Sequence, residues 1–228
     1  MRPVVLAIGG LDPSGGAGIL ADAEAIRACG GEPMCVPTAL TEQTRSRVSS
    51  WTAVNATRFG SMARAIVEDE HPAAVKIGML ANGDITSRVQ LVLRMSTRPL
   101  VVDPVFASSS GYALFRGNYK RAYKSLCAGA VVTPNLLEVA HLGSSPAGLL
   151  EDNAARAVLV KGGHRKGRPI DVLFTRDGEQ AFEGTRLPDK RGTGCRLASA
   201  IATYLALGAE LPEAVRLARE YVRGYLAG

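Results

Sequence analysis

VVLAIGGLDPSGGAGILADAEAIRACG, residues 4–30, contains one complete structural unit. The apolar, β-branched run VVLAI (4–8) reads as a buried strand, and a loop of glycine, proline and serine ends it. Apolar residues then recur at helical spacing over 16–29, so strand, glycine loop and helix follow one another as at the start of a βαβ unit. The same rhythm repeats along the chain. Strands are predicted at MCVPT (34–38), AAVKI (73–77), PLVVD (99–103), AVVT (130–133) and AVLVK (157–161), with helices over 56–69, 84–95, 117–127 and 135–142. IDVLFT (170–175) and EQAFEG (179–184), joined across RDG, read as an antiparallel edge hairpin, and helices over 193–207 and 212–226 close the chain. The expected class is α/β, with a mostly parallel central sheet.

The chain has 228 residues, 46% of them hydrophobic, and no linker, repeat or low-complexity tract divides it, so one domain over 1–228 is expected. Its formal charge is +6, but the 27 Lys and Arg are scattered and the densest knot is HRKGR (164–168). With only 5% aromatics to stack bases, the pattern argues against nucleic-acid binding. Cys29, Cys35, Cys127 and Cys195 form no CxxC pair, and His71, His141 and His164 lack metal-ligand spacing, so neither a zinc site nor a disulfide framework is expected. MRPVVLAIGG lacks the core and cleavage site of a signal peptide, and no stretch approaches the roughly 18 apolar residues of a membrane span. A cytoplasmic protein without a membrane partner is the expectation.

What stands at the carboxyl ends of the strands points to function. They carry Gly9 and Gly10, Thr38, Lys76 with Gly78, Asp103 with Pro104, Thr133 with Asn135, and Lys161 with Gly162 and Gly163. In a parallel sheet these ends share one edge, where ligands bind. Any one of them alone is a turn residue; together they predict a polar cleft.

Two glycine-rich stretches precede helices, GGLDPSGGAG (9–18) and DKRGTGCRLASA (189–200). Glycine lets a ligand approach the main chain, and a helix N-terminus offers free amides and partial positive charge. No Lys-Ser/Thr follows the first, so it is not a Walker loop; Gly16 to Ala21 fits G-x-G-x-x-A, but Thr38 and Ala39 stand where a dinucleotide site needs an acid. In the second, the amides of Gly192, Thr193, Gly194 and Cys195 can converge on an anion such as a transferring phosphoryl group. A thiol there is expected to have a lowered pKa and to serve as a proton acceptor, or else to be a small packing residue.

GGLDPSGGAGILAD, KIGML (76–80), VVDPVF (101–106), TPNLLE (133–138), VKGGH (160–164) and GTGCRLASAIA (192–202), collinear over nearly the whole chain, resemble the hydroxymethylpyrimidine and phosphomethylpyrimidine kinases of thiamine biosynthesis. The resemblance implies a ribokinase-like three-layer α/β/α sandwich, ATP and Mg²⁺ as cofactors, a small pyrimidine substrate and a homodimer, with Trp51 and Val48 as candidates for the interface. It implies that Gly10, Asp12, Ala17, Gln43, Met79 and Val105 bind the pyrimidine, the ring lying flat on the first glycine-rich stretch. Asp103, Thr133, Asn135, Lys161 and Arg191 fall on the nucleotide side, with Glu138 and Asp103 near the metal. Gly192, Thr193, Gly194, Lys161 and Cys195 are the implied catalytic set, Cys195 as base.

The chain departs from the family's pattern in three places: Ser109 stands where a lysine is common, Arg191 where a histidine is common, and TRSR follows Gln43. The stretch between Glu138 and Lys161 is also short, which implies a trimmed crossover helix. These departures bear on phosphorylation of the monophosphate more than of the alcohol. Other readings stay open: a pyrimidine-binding sensor without turnover, a dinucleotide-dependent oxidoreductase resting on G-x-G-x-x-A alone, and a kinase with a pyridoxal-type substrate.

Overall fold

The computed structural model describes residues 1–95, 98–108, 110–162 and 168–228. Ser109, Gly163 and His164, with most of the HRKGR knot, lie outside them.

The first half of the chain runs β1 (Val4–Leu11), α1 (Gly18–Ala28), β2 (Glu32–Gln43), β3 (Val48–Ala53), α2 (Ala56–Glu70), β4 (Ala74–Ile77), β5 (Ala81–Asn82), α3 (Gly83–Leu93), β6 (Leu100–Val102) and β7 (Phe115–Arg116). The second half runs α4 (Tyr119–Lys124), β8 (Val131–Val132), α5 (Leu136–Leu142), α6 (Pro146–Glu151), β9 (Ala157–Val160), β10 (Ile170–Thr175), β11 (Gly178–Glu183), α7 (Thr193–Ala206) and α8 (Leu211–Ala227). Nine strands make one sheet in the order β11-β10-β9-β8-β6-β4-β1-β2-β3, and β5 pairs with β7 apart from it. The strands from β9 through β2 run parallel, while β10 and β11 form the expected antiparallel edge hairpin.

Alternation along the central strands builds the three layers. In β1, Leu6 and Ile8 point into a core with Phe59 of α2 and Ile85 and Val89 of α3, whereas Val5 and Ala7 point into one with Ile26 of α1 and Leu197 and Ile201 of α7. Both faces are covered, so the strand is apolar throughout, and Leu6 and Ile8 each contribute about 1.5–3 kcal/mol by burial. The sheet continues hydrogen bonding past the strand ends, with Gly78 N–H donating to Ile8 O and Asp103 N–H to Ile77 O, both at 2.8 Å. Thr133 N–H donates to Val102 O at 2.9 Å. This register delivers the polar residues to one rim.

Two expectations are corrected, and one is met. The antiparallel strand β3 covers the far edge at a place where no strand was expected, and it buries Val48 and Trp51 within this chain, with Trp51 Nε1 donating to Ala113 O at 2.8 Å. Neither side chain is therefore available for an interface. The helix expected over 117–127 is only Tyr119–Lys124, because Asn118 caps it, its side chain accepting from Arg121 N–H, and Gly129 at φ +70 turns the chain beyond it. Between Glu138 and Lys161 the short helix α6 stands where a trimmed crossover was expected, capped by Ser145 with Pro146 in its first turn.

Candidate active site

Two helices, α1 and α7, begin at the rim without a side-chain cap. The first-turn amides of α7, on Thr193, Gly194 and Cys195, have no partner within the helix and form a ready anion site. The turn is possible because Gly192 has φ +72 and a Cβ there would stand 2.1 Å from Gly16 O. Gly18 has φ +63, and a Cβ on it would stand 2.2 Å from Gly10 O. The two glycine-rich stretches thus meet backbone to backbone; at these positions it is the protein's own main chain, not a ligand, that excludes a side chain. At Gly10 the close neighbour is Met79, whose Sδ would be 2.6 Å from an added Cβ.

Strands β6, β8 and β9 bring three charges beside this turn. Lys161 Nζ donates to Asp103 Oδ1 at 2.7 Å and lies 3.5 Å from Glu138 Oε2. Thr133 Oγ1 reaches Asp103 Oδ1 at 3.4 Å. Asn135 and Glu138 form a capping box on α5: Glu138 N–H donates to Asn135 Oδ1 at 2.8 Å, and Asn135 N–H to Glu138 Oε2 at 2.7 Å. The box fixes the carboxylate toward Lys161. A Cβ at Gly194 would sit 3.2 Å from Lys161 Nζ and 3.8 Å from Asp103 Oδ2, so the amide turn and the charged set share one hollow.

Burial pushes the Glu138 carboxyl up to about 7, with Lys161 opposing and Asp103 reinforcing the shift. Lys161 is held above the usual lysine range: burial works downward, but Asp103 and Glu138 outweigh it. Once Glu138 is ionised, two carboxylates face one ammonium and leave net negative charge on hard oxygen donors, a set that fits Mg²⁺, which takes one or two carboxylates plus phosphate oxygens and water. Among the described residues no group of three or more His, Cys, Asp or Glu is arranged as an all-protein metal cage.

One rim expectation is corrected beneath the turn: Lys76, read among the strand-end residues of the polar cleft, is buried and paired with Asp22, which had no role in the sequence reading. Lys76 Nζ donates to Asp22 Oδ1 at 2.8 Å and Oδ2 at 2.9 Å, and Ser199 Oγ donates to Asp22 Oδ1 at 2.8 Å, all three residues being fully enclosed. Burial works downward on Lys76, and Asp22, Cys195 and Asp103 overcome it, so the ammonium is retained. The available signal was a lysine at a core position of the strand AVKI, since a buried charge requires a partner. The low-pKa thiol expected of Cys195 is corrected: burial pushes it up to about 11, against the pull of Lys76. The helix terminus does not outweigh desolvation there.

On the other side of the turn, Asp12 is buried and fully occupied. Its Oδ1 accepts from Ser14 N–H at 2.9 Å and Ser14 Oγ at 2.7 Å, and its Oδ2 accepts from Ala17 N–H and Gln43 Nε2, both at 3.0 Å. Asp12 therefore orients Gln43 and the start of α1, where direct ligand contact was expected. Thr41 Oγ1 has one proton, which it shares between Leu11 O at 2.9 Å and Gln43 Oε1 at 3.2 Å, so the amide keeps one N–H and at least one lone pair for a ligand. Arg191, expected among the nucleotide phosphates, is instead tied to this side: it bonds Thr44 O at 2.7 Å, Arg45 O at 3.0 Å and Asp12 Oδ2 at 3.3 Å. Met79 is buried with Ala39, Trp51 and Leu114, and Val105 packs on the same cluster. Thr193 Oγ1 turns back to Lys190 O at 2.6 Å and so braces the turn with its side chain.

A family profile described as phosphomethylpyrimidine kinase matches residues 12–227. A hydroxymethylpyrimidine/phosphomethylpyrimidine kinase of Streptomyces coelicolor is 38% identical over 240 aligned positions, covering 97% of this chain and 88% of that protein. A crystal structure of phosphomethylpyrimidine kinase from Clostridium difficile superposes with a TM-score of 0.86 at 34% identity, covering 98% of this chain and 99% of that one. Pyridoxal kinase from Staphylococcus aureus in complex with AMP-PCP superposes with a TM-score of 0.88 at 27% identity, covering 99% of this chain and 88% of that one. A chain matched from Asp12 to Ala227 by one profile, and carrying the charged set and amide turn described above, belongs to the phosphomethylpyrimidine kinase family.

Proposed function

We propose that this chain transfers the γ-phosphoryl group of ATP to the hydroxymethyl oxygen of 4-amino-5-hydroxymethyl-2-methylpyrimidine, and then phosphorylates the resulting monophosphate. The observation that carries the reading is the convergence of segments far apart in sequence on Lys161 Nζ, with Asp103 at 2.7 Å, Glu138 at 3.5 Å and the position of a Gly194 Cβ at 3.2 Å.

The pyrimidine lies against the first glycine-rich stretch, with Met79, itself packed on Gly10, and Val105 behind it, where Gln43 has one donor and one acceptor to offer an aminopyrimidine edge. Asp12 and Thr41 hold that amide in one orientation, so its pattern discriminates. Thr133, Asn135 and Lys161 face the nucleotide. Asp103 and Glu138 would hold Mg²⁺, which when bound supplies positive charge to the phosphate oxygens. As the alcohol oxygen bonds to the γ-phosphorus, the bridge to the β-phosphate breaks; the amides of Thr193, Gly194 and Cys195 receive the charge on the transferring oxygens. The alcohol proton passes to Cys195 in its thiolate form, a minor form at neutral pH given the raised pKa. The transition state of phosphoryl transfer is loose, so the base contributes less than the amide turn.

The chemistry requires a compartment that supplies ATP, and the cytoplasm is the setting we assign; among the described residues no helix is long and apolar enough to cross a membrane. We also assign a homodimer, to be checked by sedimentation. The pyridoxal kinases among the structural neighbours favour one second reading, a pyridoxal-type substrate. Incubating the protein with ATP, Mg²⁺ and, in turn, the alcohol, its monophosphate and pyridoxal, then following product masses, separates these. A phosphorylated pyrimidine supports the proposal; phosphorylated pyridoxal alone replaces it, and binding without turnover favours a sensor.

A further inference from the structure

The turn that carries Cys195 is gripped from outside the site by one side chain. Tyr225, in the last turn of α8, donates through its hydroxyl to Arg191 O at 3.1 Å, and its own carbonyl accepts from Lys190 Nζ at 2.8 Å. The Arg196 guanidinium stacks on the Tyr225 ring at 4.0 Å, and the Lys190 ammonium lies 5.2 Å from the ring centre. Residues on both sides of Gly192–Cys195 therefore touch Tyr225.

Arg196 carries the grip across to the other glycine-rich stretch. Its Nη1 donates to Gly16 O at 3.1 Å and its Nη2 to Glu24 Oε2 at 2.6 Å. The residue is only 3% exposed, and its Nε is buried without a hydrogen-bond partner among the described residues. A buried arginine with one unsatisfied donor costs stability, so its retention calls for a positional reason. Gly192 gives that reason: a Cβ on it would stand 2.1 Å from Gly16 O and 2.6 Å from Arg196 Nη1, so the turn is packed close against both and a small shift of it also moves the loop proposed to receive the pyrimidine.

We infer that Tyr225 is a positioning residue for phosphoryl transfer, clamping Lys190, Arg191 and Arg196 so that the amide turn and the first glycine-rich stretch keep one fixed separation. The inference rests on the kinase reading for its catalytic consequence but not for the clamp itself. Ring and hydroxyl have separable jobs. The ring seats Arg196 and thereby Gly16, and the hydroxyl pins the carbonyl that precedes Gly192.

The test uses full-length Tyr225→Phe and Tyr225→Ala proteins with two readouts. In steady-state assays, Tyr225→Ala lowers kcat about tenfold and leaves the KM for ATP within about twofold, because a displaced turn weakens transition-state contacts more than ground-state ones. Tyr225→Phe, which keeps the ring, recovers most of that loss. The second readout needs no turnover: iodoacetamide labelling of Cys195, followed by peptide mass mapping, is several-fold faster in Tyr225→Ala than in wild type and intermediate in Tyr225→Phe. Unchanged kcat and unchanged labelling in folded Tyr225→Ala would overturn the clamp. So would a Tyr225→Ala protein whose activity falls only in proportion to its unfolded fraction. If Tyr225→Ala does not fold, Tyr225→Phe decides: wild-type kcat and labelling overturn the role of the hydroxyl pin. If wild type transfers no phosphoryl group, the kinase reading fails while the labelling arm still tests the clamp.

Discussion

Replacing Gly194 by alanine adds one methyl group to the crowded centre of the site. Gly194 lies in ordinary helical backbone, so alanine is not strained there, and its higher helix propensity favours the fold by up to about 1 kcal/mol. The methyl, however, would stand 3.2 Å from Lys161 Nζ and 3.8 Å from Asp103 Oδ2. The ammonium cannot retreat freely, because Asp103 holds it at 2.7 Å. The turn or the lysine must shift by a few tenths of an ångström, and in the proposed mechanism the methyl occupies the space of a phosphoryl oxygen. Misplacement of this kind costs about a hundredfold in rate, or roughly 2.7 kcal/mol of transition-state stabilisation. Thermal unfolding together with a coupled ADP-release assay tests this. The expected result is an unchanged or slightly raised Tm with kcat/KM lowered about a hundredfold. A folded Gly194→Ala enzyme with activity within about threefold of wild type would refute the placement of the phosphoryl group.

Three further outcomes follow from the same geometry. Cys195→Ala retains measurable transfer, slowed by roughly ten- to a hundredfold, at the low end for loss of a general base, because the amide turn remains; loss of all activity in a folded protein would contradict this. Cys195 with a pKa of about 11 is a neutral thiol at pH 7, so its alkylation rate climbs as pH rises toward 11, whereas an unfolded control levels off earlier; a plateau in the folded protein below pH 9 would contradict it. Lys76→Met strands the buried Asp22 and destabilises the protein by about 3–5 kcal/mol in denaturant melts, and a Lys76→Met/Asp22→Leu double variant recovers much of the loss; equal stability of the single variant and wild type would show that the pair is not buried as described.

The sheet was legible in the sequence because its central strands are buried on both faces and appear as unbroken apolar runs closed by glycine, aspartate or lysine. The edge strand β3 was not, for a local reason. Ser50 opposes Glu42 and Val48 opposes Gln43, so Ser49 is an extra residue; the bulge places the buried Val48 and Trp51 three apart and breaks the period-two pattern. The helix α6 carries a readable start, Ser145 followed by Pro146, but at six residues it shows too little apolar repeat. Within the site, Lys161, Glu138, Asp103 and the Gly192–Cys195 turn were legible because each sits at a strand end or helix start. The partner of Lys76 lies 54 residues away, and Tyr225 lies 34 residues beyond Arg191 in the last turn of a terminal helix. Such pairings depend on which helix covers which face, information that no local spacing contains. The raised pKa of Cys195 was hidden for the same reason, since burial is set by α1 and β4 packing against α7.

The central claim is that Lys161 and the amide turn hold the terminal phosphate of a nucleotide against a pyrimidine alcohol. It is tested most directly by following label from γ-³²P-ATP onto the hydroxymethylpyrimidine in a single turnover, with wild type beside a folded Lys161→Met variant. The account predicts labelled pyrimidine from wild type and a rate lower by at least about a hundredfold from the variant. No label from wild type, or transfer by Lys161→Met at the wild-type rate, would contradict it.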